Sequence, residues 1–157
     1  MISADLVEFL NGPVVLLVGT RDENMRPSAA YPFGCVTDGE DDTITFFLPN
    51  VEGGAVLRDL KQNGKVALTA VEGISHLAYQ FKGTYIESRA VDEQEKALQD
   101  AYKEKVIPHY LKKGVAEAYF GRIVYDPSTA VTFRVEEIFD QTPGPAAGSK
   151  METTPTS

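Results

Sequence analysis

The side chains able to do chemistry are few in this chain. His76 and His109 are its only histidines, and Cys35 is its only cysteine. Two histidines with no nearby cysteine or paired acid make a poor metal set, so both read as solvated or hydrogen-bonded side chains. Cys35 stands beside Val36, with nothing basic adjacent to lower its pKa. It reads as a small buried hydrophobe rather than a nucleophile. The phosphate-cradling glycine loops, the GxSxG nucleophile turn and the HExxH metal helix are all absent. Nothing in the chain announces acyl transfer, nucleotide hydrolysis or metal-assisted hydrolysis.

The elements that would position a site are easier to read. The chain has 157 residues, a net charge of −8 and 43% hydrophobic residues. That length suits one domain with a core large enough to need no staples. The acidic balance argues against nucleic acid or an anionic membrane surface as the main partner. A lone cysteine fits a reducing compartment, and no basic leader precedes Asp5 and Glu8, so a cytoplasmic location is expected. The longest apolar run, Pro13 to Val18, falls far short of the ~20 residues of a membrane helix.

Ser3 can cap a short helix over Ala4–Leu10, stopped by Gly12. Val14–Val18 reads as a buried strand, and Arg26–Val36 as a second, interrupted by Pro27, Pro32 and Gly34. Thr43–Leu48 makes a third. Gly53–Gly54 opens a short helix through Leu60, closed by Asn63–Gly64. Lys65–Val71 and Ser75–Glu87 follow as strands. Asp92–Lys113 is the one long helix, a solvated amphipathic cover in which Pro108 should force a kink or a split. Gly114–Tyr125 is ambiguous. Thr129–Phe139 alternates as a last strand until Glu137, where a bulge or bend is expected. Consecutive strands on short turns predict a mainly antiparallel β fold with flanking helices. From Gln141 onward there is no Val, Ile, Leu or aromatic residue, so residues 141–157 read as a disordered tail behind a domain of residues 1–140.

The stretch from Leu6 to Glu87 resembles the pyridoxamine 5'-phosphate oxidase-like, FMN-binding split-barrel family. The resemblance rests on the opening helix with Val14-Val-Leu-Leu-Val-Gly-Thr20, on Arg26-Pro27-Ser28, and on Thr43-Ile-Thr-Phe-Phe-Leu48. It continues through Leu57-Arg-Asp-Leu-Lys-Gln-Asn-Gly-Lys-Val-Ala-Leu68 and Tyr79-Gln-Phe-Lys-Gly-Thr-Tyr-Ile-Glu87. It implies a six-stranded antiparallel split barrel, a homodimer, FMN at the subunit interface and flavin-dependent oxidoreductase activity on a substrate it does not name. It also implies roles for residues. Gln80 matches a glutamine that hydrogen-bonds the flavin, a task suited to an amide that both donates and accepts. Tyr31, Pro32 and Phe33 lie where the family's strand lines the isoalloxazine ring. Plainer readings are an exposed strand Gln or dimer contact for Gln80, and ordinary barrel lining for the other three.

Departures from the family pattern fall on the phosphate. Ala55–Val56 occupies the place of a basic pair at the start of the short helix, and Ala30 and Cys35 stand where the oxidases bring an Arg and a Lys. A nearly dianionic phosphate is costly to bury uncompensated. Gly53 and Gly54 could offer backbone N–H groups instead, and Arg58 or Lys61 could swing in. The alternatives are a plain loop and a surface ion pair. FMN is therefore expected to bind more weakly than in the oxidases or to be lost, which leaves a non-catalytic binding module as the second functional expectation.

Overall fold

The computed structural model describes residues 1–152. Helix α1 (Ala4–Leu10) starts on Ser3, whose Oγ accepts a hydrogen bond from the Leu6 N–H at 3.3 Å, and it buries Leu6 and Leu10. Strand β1 (Val14–Arg21) runs three residues beyond the expected end, alternating buried and open side chains. A turn built on Asp22, whose Oδ1 accepts from the N–H groups of Asn24 and Arg26, leads to β2 (Pro27–Ala30).

The expected second strand is broken in two. Tyr31–Gly34 is irregular, and the strand resumes only as β3 (Cys35–Val36). Pro32 has no N–H to give a ladder, and Gly34 turns the chain with a φ of 104°. Strand β4 (Thr43–Pro49) then feeds α2 (Asn50–Asn63), which closes on left-handed Gly64. Strands β5 (Lys65–Glu72) and β6 (Ala78–Ala90) form a hairpin, followed by α3 (Glu93–Leu111), capped by Asp92, and the one-turn α4 (Glu117–Phe120). Pro108 does not split α3; the helix continues to Leu111. The proline lies in the last turn, where little ladder remains to be broken.

Strand β7 (Ser128–Asp140) pairs with β6 over its whole length, and the register slips between Lys82 and Gly83, opposite Glu136. The bulge expected at Glu137 therefore falls one residue earlier. All strand pairs are antiparallel, in the order β2-β1-β5-β6-β7-β4-β3. The two ends of this sheet, β2 and β3, are halves of one chain segment, so the sheet curls until its ends meet. Inside lie Leu16, Ile44, Phe46, Leu68, Phe81 and Phe133, all fully buried.

The segment after Asp140, expected to be disordered, departs from that expectation as far as Glu152. Gly148 N–H bonds the Asp140 carbonyl, β8 (Ser149–Lys150) pairs with β7, and Met151 packs on the core. Backbone pairing, a Lys150–Glu137 ion pair at 2.9 Å and a single methionine hold it, and none of these needs an aliphatic run. The rest of that expectation, residues 153–157, lies outside the described residues. Among the described residues, no helix is long and apolar enough to cross a membrane.

Candidate functional site

The broken strand builds the site. Because Tyr31–Gly34 leaves the sheet, its side chains are free of the pleat. Phe33 N–H still bonds the Phe47 carbonyl at 2.7 Å, and the Phe47 N–H returns a bond to Gly34 at 2.9 Å, which pins the segment beside β4. Across from it runs one face of α3. Tyr102, Val106 and Tyr110 recur every four residues and so share that face. The segment through α4 closes the third side with Val115, Tyr119 and Phe120. Between these walls is a cavity of about 400 Å³, and Tyr31, Pro32 and Phe33 all line it.

The aromatic contacts are specific. The Phe33 ring stacks on Tyr125 with centroids 4.2 Å apart and planes 10° from parallel, and meets Tyr102 edge-on at 5.0 Å. Tyr102 donates its hydroxyl to the Val14 carbonyl at 2.9 Å, and burial, reinforced by Cys35 and Tyr110, pushes its phenol well above the usual range. Tyr125 donates to Asp100 at 2.7 Å; that bond, followed by burial and the Asp100 charge, raises its phenol to about 12. Both phenols are hydrogen-bond donors at neutral pH and cannot serve as bases. Among the described residues, the only charged side chains on the cavity wall are Glu52, from the first turn of α2, and Lys103, from α3.

The other sequence-predicted residues lie elsewhere. Gly53 and Gly54 sit inside α2, which begins three residues earlier than expected, so their N–H groups fall in the intrahelical ladder and do not point outward. Gly53 has a packing role: a Cβ there would come within 2.6 Å of Leu48. Arg58 is 65% exposed, and its guanidinium lies 3.6 Å from Oδ1 of the buried Asp59. Gln80 is on the outer face of β6 and donates to Thr69 Oγ1 at 3.2 Å. Within one chain none of these four lines the cavity that Tyr31, Pro32 and Phe33 share. Cys35 is partly buried, and burial, partly offset by Lys105, pushes its thiol up to about 12. His109 abuts the Glu72 carboxylate, linking the end of α3 to the β5–β6 turn. Among the described residues, no group of His, Cys, Asp and Glu is arranged to hold a metal ion.

Sequence reasoning missed Glu52, Tyr125 and the buried acid Asp59. Asp59 is 0% exposed and accepts a bond from Thr20 at 2.8 Å, while its other oxygen has no hydrogen-bond partner. Its phase along α2, with Val56 and Leu60 on one face, was the available signal. Tyr125 had none, because its partner Phe33 is remote in sequence.

These residues can be tested against FMN. The aromatic walls fit a flat tricyclic ring. The phosphate does not fit: the α2 start carries Glu52, the Asn50 N–H is already given to the Pro127 carbonyl, and Lys103 is the one cation on the wall among the described residues. Within one chain, a built phosphate cradle is missing among the described residues.

Solved structures share the fold. A tagged HupZ of Group A Streptococcus is 21% identical, with 94% of this chain and 100% of that one aligned at a TM-score of 0.58. A protein named as a candidate pyridoxamine 5'-phosphate oxidase, from Lactobacillus delbrueckii, is 17% identical over 87% of this chain and 92% of its own, at a TM-score of 0.54. An F420 reductase is 14% identical over 83% and 93%, also at 0.54. No curated protein matches the chain. The family model described as pyridoxamine 5'-phosphate oxidase matches residues 2–141, so the chain belongs to that family and has its mainly antiparallel split-barrel fold.

Proposed function

We propose that this protein is a flavin-binding, oxidoreductase-type member of the family that works as a cytoplasmic homodimer. The observation that carries the reading is the cavity beside the broken strand, in a chain whose family match spans residues 2–141. Tyr31, Pro32 and Phe33 supply a flat apolar wall for the isoalloxazine ring. Gln80, on the outer face of the sheet, would meet the edge of a ring held by the neighbouring subunit, which is why the homodimer belongs to the proposal. Gly53, Gly54 and Arg58, which lie away from the cavity within one chain, have no part in this reading. Flavin, when bound, supplies redox chemistry, and the protein's part is to orient the ring and exclude water from it.

A second reading, a split-barrel binding module that has lost FMN, is favoured by one observation: Glu52 stands on the cavity wall opposite a single lysine. Titration separates the two. Purified protein incubated with excess flavin should keep visible flavin absorption through gel filtration. It should also gain about 5–10 °C in melting temperature at a hundredfold excess over Kd. A colourless protein with an unchanged melting temperature in both FMN and riboflavin removes the flavin reading and leaves the binding module.

A further inference from the structure

Resting on the flavin reading, we infer that Glu52 makes the cavity selective for planar aromatic ligands without a phosphate, so that a riboflavin-like molecule binds in preference to its phosphate ester. Glu52 is exposed, lines the cavity and belongs to the first turn of α2. Among the described residues, no cation is paired with it. A carboxylate at a helix start is favourably placed by the helix dipole, and it holds the position an anionic ligand group would need. The Asn50 N–H, one of the donors such a group could use, is taken by Pro127. The one compensating charge, Lys103, has its Nζ 5.9 Å from the Tyr125 ring centre. The remaining wall is apolar and aromatic, and it offers a ring dispersion and stacking with no charge requirement. A phosphate carries about −1.5 to −2 at neutral pH, so its repulsion by an uncompensated carboxylate a few ångströms away is worth about tenfold in affinity.

The test uses the full chain and two matched pairs of probes. Riboflavin and FMN share a ring and differ by a phosphate. N-phenyl-1-naphthylamine and 1-anilinonaphthalene-8-sulfonate share a fluorescent ring pair and differ by a sulfonate. In the wild type, riboflavin should bind about tenfold more tightly than FMN, and the neutral naphthylamine more tightly than the sulfonate. Glu52→Gln should bring each pair close to parity, Glu52→Lys should reverse both, and added salt should shrink the wild-type preference. Unchanged melting curves for both variants show that the fold is kept. Equal or tighter FMN binding by the wild type, or a preference that survives Glu52→Gln, overturns the selectivity while leaving the flavin reading intact. If neither flavin binds but the naphthylamine pair still discriminates through Glu52, the flavin reading fails and the selectivity stands. Failure of all four probes to bind overturns both.

Discussion

Gly83→Ala tests the geometry on which the barrel depends. Gly83 lies at the register slip between β6 and β7, and a Cβ there would stand 1.8 Å from the Arg134 carbonyl oxygen and 2.8 Å from its carbon. Ordinary contact requires about 3.5 Å, so the strands must separate by about 1.5 Å or more. The neighbour is backbone in the middle of a paired strand and cannot rotate aside. Overpacking of this kind costs about 3 kcal/mol, and the loss of one or two ladder hydrogen bonds adds about 1 kcal/mol each. The total, about 4–5 kcal/mol, corresponds to a fall in melting temperature of about 10 °C or more for a chain of this size. Gly54→Ala is the matched control. Its Cβ would meet nothing within 4 Å, and it lies in an exposed helix interior, where alanine gains about 0.5–1 kcal/mol over glycine. Thermal unfolding followed by circular dichroism should place the two variants on opposite sides of the wild type. A Gly83→Ala protein melting within about 3 °C of the wild type would refute the close approach and the bulge drawn from it.

Three further outcomes follow from the geometry. Burial alone would raise the Glu72 pKa, but bonds from the Ser75 hydroxyl, the N–H groups of Ile74 and Ser75, and His109 outweigh it and bring it down from 4.5 to about 2. Because the folded value lies below the unfolded one, the stabilisation is complete above about pH 4.5 and is lost as pH falls towards 2; it amounts to at most about 3 kcal/mol. Urea midpoints measured above and below that window should differ less in Glu72→Gln than in the wild type, and equal differences would exclude the cluster. Tyr125→Phe keeps the stack on Phe33 and should cost under about 1 kcal/mol, whereas Tyr125→Ala should cost about 2–3 kcal/mol; equal losses would mean that the stack contributes nothing. Gln80→Ala should weaken flavin binding about five- to tenfold, and an unchanged affinity would end its role at the ring edge.

How legible the molecule was in its sequence depended on how local each signal is. Ser3 and Gly64 act within a single turn, and the helices they bound begin or end where those residues predict, while the long helix starts one residue after Asp92, which caps it. Pro32 and Gly34 marked the gap in the second strand because each removes or bends a ladder position by its own chemistry. The α2 start was misjudged because Gly53–Gly54 was read as opening the helix, whereas the small size of Gly53 serves the approach of Leu48 from the preceding strand. The ordered stretch up to Glu152 was missed because its hold is backbone pairing with β7, which leaves little mark on composition. For the site, Tyr31, Pro32 and Phe33 were found through the resemblance to the family. The pairing of Phe33 with Tyr125, and of Glu52 with the same cavity, joins residues far apart in the chain, and only the closed sheet brings them together.

The way that sheet closes has a consequence for behaviour at high concentration. An open sheet ends in rows of unsatisfied amides and carbonyls that can template growth by neighbouring molecules. Here the terminal strands are four and two residues long, belong to one segment, and are joined across the gap by Tyr31–Gly34. Pro27 removes one donor from the first of them. Little continuous backbone is left for strand-to-strand polymerisation, so fibrillar aggregation should require the barrel to open first and should track its unfolding rather than its concentration alone.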